Sequence, residues 1–308
     1  MRRILQAPAT VALVLYLVLW GAFTGKGWTQ GGSRWVGVDG DPQLFMWYLK
    51  WLPFALTHHH NPLLTNYLQY PAGANLMWNT SITFPALLLW PITSSLGPIV
   101  SYNTLSVLAP SLSGWCAFLA LRRYVSFVPA LAAGLVYAFS PYMVAQALGH
   151  PNLSFAVFPP LTLLILDEVI VRQRHSARLV GMLFGLLAAA QLMTGEEVLA
   201  LTVLIAVIGI VVLALLNREA VRQHARHAIT ALITAVVVVA LLVAVPLGVQ
   251  FLGPQRLSGA IQVRNIYVTD ISSLITPSPL QALSVNGRFA PPESGSYVGI
   301  PLLAIAVG

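Results

Sequence analysis

The stretch LVGMLFGLLAAAQLMTGEEVLALTVLIAVIGIVVLALLN, residues 179–217, decides the class of fold. It is one apolar run broken only by Thr194-Gly195-Glu196-Glu197. Because about 20 apolar residues are needed to cross a hydrocarbon core, the run reads as two spans near 179–194 and 197–217 joined by a tight turn. A helix that is apolar all round is buried in a large core or dissolved in lipid. The first of the two is short. At about 1.5 Å per residue it requires local bilayer thinning or help from its neighbours.

Working outward, the rest of the chain has the same character. Of 308 residues, 57% are hydrophobic and 8% charged, with a mean hydropathy of +0.78. A soluble domain carries about 25% charged residues, so an ordinary soluble enzyme is excluded. Further spans are predicted near 8–23, 98–121, 127–148, 153–171 and 228–252, with a last one opening at about 297. The run at 82–96 is interrupted by Pro85 and Pro91 and reads as re-entrant or interfacial. The expectation is an all-α polytopic membrane protein of about seven or eight transmembrane helices, one domain over 1–308 that stops inside its last span at Gly308. Its outer loops fall at 25–97 and 253–296, and the first carries an interfacial helix over 42–57, PQLFMWYLKWLPFALT.

The charges orient this layout. Arg2, Arg3, Arg122, Arg123, Arg172, Arg174, Arg178, Arg218, Arg222 and Arg226 fall on one side, as cytoplasmic loops require, which places the N-terminus inside. In this class the net charge of +7 is a topology signal and no argument for nucleic acid. The sole cysteine, Cys116, cannot form an internal disulfide.

Only nine side chains are acidic, and ionised groups are costly inside a bilayer, so each is a candidate for a boundary, a cavity or a partner. Asp167, Glu168 and Glu219 accompany the cytoplasmic arginines and read as solvated loop ends. Asp39, Asp41, Glu196, Glu197, Asp270 and Glu293 fall on the outer side. Asp41-Pro42 is what a helix start uses, with Asp as cap and Pro in the first turn. A carboxylate held there can also take a proton from a hydroxyl as general base. Asp39 could share a divalent metal with it, although two carboxylates alone are a weak signature. His58, His59 and His60 cannot all reach one ion from a regular element and read as solvated loop. The aromatics and amides of NYLQYPAGANLMWN (66–79) suit either sugar binding or interfacial anchoring. His150 and Asn152 occupy a very short outer turn, and Glu196 and Glu197 are costly unless they face a wet cavity. Arg256, Arg264 and Arg288 in the second outer loop suit a phosphate, lipid headgroups or the loop's own acids.

Together, GDPQLFMWYLKW (40–51), NPLLTNYLQYPAGANLMWN (61–79), SPYMVAQALGHPNL (140–153), the TGEE turn and ESGSYVGIPLL (293–303) resemble a bacterial group of the GT-C superfamily of membrane glycosyltransferases. The resemblance implies transfer of a sugar, with inversion, from a polyprenyl-phosphate donor to a hydroxyl on a glycan, lipid or protein acceptor. It places the protein in a bacterial plasma membrane with an extracytoplasmic site, Asp41 first and Asp39 second as catalytic residues. Donor phosphate or substrate would fall to His150, Asn152, Glu196, Glu197, Arg256, Arg264, Arg288 and Glu293. A divalent cation, Mg or Mn, would fall to Asp39, Asp41, Glu196 or Glu197, but where some relatives carry an acidic pair this chain has only His150 and Asn152. The rival classes are a transporter or flippase of lipid-linked sugars, and a non-catalytic envelope-assembly protein. A flippase should show polar groups at mid-depth and two-half symmetry, and no internal repeat is visible.

Overall fold

The computed structural model describes residues 2–29, 33–37, 40–78, 82–259 and 299, with side chains from residue 8 onward except at 220. The described residues are 76% helical. The exception among the described residues is a short antiparallel pair, β1 (Leu64–Thr65) and β2 (Ala74–Asn75), with Leu64 opposite Asn75. Among the described residues four helices are long and apolar enough to cross a membrane, at Pro98–Leu121, Pro151–Arg172, Glu196–Leu216 and Val221–Leu252. A bent pair at 127–147 makes up to five, and Pro8–Phe23 and Ala177–Leu192 are shorter apolar helices. The described residues form two compact units, one from 1–43, 102–155 and 257–259, the other from 44–101 and 156–256.

In the first unit, α1 (Arg2–Phe23), α5 (Pro98–Leu121) and α6 (Phe127–Ala138) approach closely because small residues sit where they meet. A Cβ on Gly134 would lie 2.3 Å from the Tyr16 hydroxyl, and one on Gly114 would lie 2.8 Å from the Gly134 carbonyl. The contacts are then sealed by hydrogen bonds to backbone. Tyr16 donates to the Leu131 carbonyl at 2.9 Å, and Trp115 to that of Ala9 at 2.9 Å. The span expected over 127–148 is broken: α6 ends before Ser140, and α7 (Pro141–Ala147) leaves at an angle of 49°. Pro141 cannot donate to the preceding turn, and Ser140 caps the new helix by accepting from the Met143 N–H. A short α8 (Pro151–Ser154) follows.

In the second unit, α2 (Asp41–Thr57, of which Leu44 onward belongs here) is helical over the stretch expected, 42–57. The run at 82–96 forms two short helices, α3 (Thr83–Leu88) and α4 (Trp90–Leu96), neither long enough to span. The principal packing is α10 (Ala177–Leu192) on α12 (Arg218–Leu252), where Cβ atoms on Gly181 and Gly185 would lie 2.2 Å and 2.7 Å from the carbonyls of Ala231 and Ala235. This close approach supports the short α10. Between α9 (Phe158–Leu166) and α10 the chain winds into a π-helical turn, Asp167–Arg172, that ends at Gln173 with φ 48°.

One expectation is corrected. Asp167 and Glu168 are not solvated loop ends: both are buried. Asp167 pairs with Arg172, while Glu168 accepts from the N–H groups of Arg174 and His175 and pairs with the His175 ring. A buried carboxylate persists where donors satisfy it, and these donors come from the turn that the π-helix creates. The glutamates of the TGEE turn form the first turn of α11 (Glu196–Leu216) and are exposed. Unpaired N–H groups and the helix dipole favour carboxylates there, so part of their cost is met by position alone.

Candidate functional site

The site in the first unit is built from a pinned loop. Asn103 is a polar residue in the apolar helix α5, 1% exposed, and it uses its whole amide on the loop after α1. It accepts from the Val36 N–H at 2.9 Å and donates to the carbonyls of Gly27 and Arg34, each at 2.9 Å. One residue on, Gly37 adopts φ +101° and passes so close to the turn after α7 that a Cβ there would lie 1.8 Å from the Leu148 carbonyl. Only glycine fits this combination of conformation and contact. Gly40, also at positive φ, turns the chain into α2, whose first residue is Asp41.

The partner of Asp41 comes from that same turn. The backbone N–H of His150 donates to the Gln146 carbonyl at 2.6 Å, and its carbonyl accepts from the N–H groups of Leu153 and Ser154, which open α8. Fixed this way, the ring places Nε2 2.6 Å from Asp41 Oδ2. The pair is reachable from outside, with side chains 26% and 57% exposed for His150 and Asp41. Gln146 and Asn152 flank His150 in sequence and are buried, and Gln146 Oε1 and Asn152 Oδ1 have no hydrogen-bond partner among the described residues. The arrangement offers one carboxylate oxygen engaged by an imidazole donor, a second carboxylate oxygen, and two amide acceptors nearby in the chain. A carboxylate oriented by histidine in this way can accept a proton from a hydroxyl.

The second unit holds Glu196, Glu197 and Arg256. Glu196 Oε2 accepts from Gln250 Nε2 at 3.1 Å, and Trp78 donates to the Gln250 carbonyl at 2.7 Å. Asn75, on β2, donates to the carbonyls of Val249 and Pro254 at 2.8 Å and 2.9 Å. The β pair and the turn after it are thereby strapped to the end of α12, beside Glu196. A small cavity against Glu196 is lined by Met77, Ile82, Thr83, Met193 and Thr194. Glu197 and Arg256 are exposed.

Asp39, Arg264, Arg288 and Glu293 lie outside the described residues, as does Asp270. His58, His59 and His60 are exposed, as expected, and rather than converging on an ion two of them join an aromatic group: His58 stacks on Phe54 at 4.3 Å and His60 on Trp51 at 6.4 Å. Among the described residues no three His, Cys, Asp or Glu side chains gather as a metal would require. Asp41 and His150 supply two donors, which by themselves do not make a cation site.

Three residues that hold these side chains in place, Asn103 and Gly37 in the first unit and Gln250 in the second, lay outside the sequence expectations. Asn103 could have been found as an amide in an apolar helix, a position that calls for a polar partner. Gly37 and Gln250 carried no such signal, because a loop glycine and a glutamine near a helix end are ordinary.

The described residues form an α-helical fold with four to five candidate membrane-spanning helices and carry an exposed aspartate–histidine pair. The chain belongs to the family described as Domain of unknown function (DUF6311), whose profile matches residues 7–308. No curated protein and no solved structure matches it.

Proposed function

We propose that the protein is an integral-membrane glycosyltransferase of the GT-C type, with seven or eight spans, a cytoplasmic N-terminus and its site on the extracytoplasmic face of a bacterial plasma membrane. The observation that carries the reading is the Asp41–His150 contact at 2.6 Å, which unites the first long loop with the short turn before α8. Both segments belong to the motifs on which the GT-C resemblance rests.

In this reading the acceptor hydroxyl approaches Asp41 Oδ1 while His150 donates to Oδ2. As the hydroxyl oxygen attacks the anomeric carbon, its proton passes to Asp41, and the bond from that carbon to the phosphate oxygen breaks. Its electron pair leaves with the polyprenyl phosphate, and attack opposite the leaving group inverts the anomeric configuration. His150 acts as a positioning residue that fixes the carboxylate. Developing charge on the phosphate falls to Arg264 and Arg288, with Asn152 and Glu293 contributing to substrate binding.

The test is transfer from a radiolabelled polyprenyl-phosphate sugar in membranes, run beside movement of the same lipid across vesicles. Transfer that requires Asp41 supports the proposal. Movement of the lipid without transfer would assign the protein to the transporter class instead.

A further inference from the structure

The second unit contains a cavity of 340 Å³ that the glycosyl-transfer reading does not use. It lies between α9, α10, α11 and α12, and its lining is apolar apart from Thr162 and His224. Its volume is within the range of ligand sites, roughly 300–1,000 Å³. On α11 it draws on the C-terminal half, from Val203 to Leu213, so it occupies the opposite end of that helix from Glu196. On α12 it runs from Val221 to Leu232. At about 1.5 Å per residue that face is about 17 Å long, close to half of a hydrocarbon core of about 30 Å. The cavity is therefore as deep as one leaflet.

Its mouth is basic. Val221 also lines a neighbouring groove, formed by Val211, Ala214 and Leu215 of α11 with Arg218 and Arg222 of α12, and both arginines are exposed. A guanidinium pair beside an apolar slot of one-leaflet depth matches a molecule with a phosphate at one end and a hydrocarbon chain at the other. Basic pockets between membrane helices hold anionic headgroups for this reason.

We infer that this cavity is a site for an anionic phospholipid, with one acyl chain between α9, α10, α11 and α12 and the phosphate against Arg218 and Arg222. The inference is independent of the proposed transfer activity.

The test uses the full chain in nanodiscs of phosphatidylcholine with and without phosphatidylglycerol, followed by native mass spectrometry of the released protein. The expected result is retained phosphatidylglycerol in preference to phosphatidylcholine. Arg218→Gln with Arg222→Gln should weaken retention about tenfold or more, since each surface cation contributes on the order of 1 kcal/mol toward an anionic headgroup. Ala228→Phe, which fills the slot and leaves the arginines in place, should abolish it while surface attraction for phosphatidylglycerol vesicles persists. Equal retention of the two lipids, or retention unaffected by the arginine pair, would overturn the headgroup assignment. Retention unaffected by Ala228→Phe would overturn the placement of the chain in the cavity.

Discussion

His150 Nε2 lies 2.6 Å from Asp41 Oδ2, although 109 positions separate the two residues in the chain. Each side is held by backbone rather than by chance contact. The His150 N–H is tied to Gln146, and Asp41 follows a loop whose course is set by Asn103 and Gly37. The pair is therefore a consequence of how the first loop is anchored to α5 and to the turn after α7.

Removing the anchor should loosen the site without touching it. Asn103→Ala leaves the Val36 N–H and the carbonyls of Gly27 and Arg34 without their partner. Buried groups left unsatisfied cost about 1–3 kcal/mol each, and with partial relaxation the expected loss is about 3 kcal/mol in total. Thermal unfolding in detergent should show the loss, and proteolysis should cut faster between residues 26 and 40 than in the wild type.

Gly37 and Gly40 both adopt positive φ but differ in surroundings. At Gly37 an added Cβ meets the Leu148 carbonyl, whereas at Gly40 nothing lies within 4 Å. Gly40→Ala should cost about 1–2 kcal/mol, the conformational penalty alone. Gly37→Ala should cost more and move the loop off the turn that carries His150. Comparing the two variants by unfolding temperature separates backbone strain from collision, and equal losses would rule out the close approach.

The α10–α12 contact should be intolerant of side chains. Gly181→Val inserts atoms where a Cβ alone would lie 2.2 Å from the Ala231 carbonyl. The helices must separate, with a loss of about 1–3 kcal/mol. Gly209→Val, on α11 with nothing within 4 Å of the added Cβ, is the matched control and should be close to neutral. The check is retention of a monodisperse peak on gel filtration in detergent after mild heating.

Glu168 should be structural. It accepts from two backbone N–H groups and pairs with His175, and it is buried. Glu168→Gln keeps the shape and removes the charge from these bonds, for an expected loss of about 1–2 kcal/mol. Transfer activity per folded molecule should be unchanged, since its role is in the turn and not at Asp41.

Much of the helical layout was legible because the apolar runs are long. Residues 98–121 are a single helix as the sequence suggested, and 197–217 differs by one residue at each end. What stayed illegible was local competition. Pro141 after Ser140 breaks a run whose hydropathy alone reads as one span. Asp167 and Glu168 sit beside arginines, which reads as a solvated boundary, and only the π-helical turn brings donors around them. The start of α12 at Arg218, ten residues before the expected span, follows from helix formers such as Arg, Glu, Ala and Gln that carry no hydropathy signal. At the site, Asp41 and His150 could each be singled out as polar groups near membrane boundaries. Their contact could not, because it depends on Asn103 and Gly37, which fix a loop whose own sequence leaves its path open.

The most direct measurement is transfer of label from a polyprenyl-phosphate sugar by membranes containing wild type, Asp41→Asn, Asp41→Glu or His150→Gln at equal, correctly inserted amounts. Asp41→Asn should lose at least about 100-fold, the lower range for a general base. His150→Gln should lose less, and Asp41→Glu should keep partial activity. Full transfer by Asp41→Asn with insertion intact would show that Asp41 is not the base.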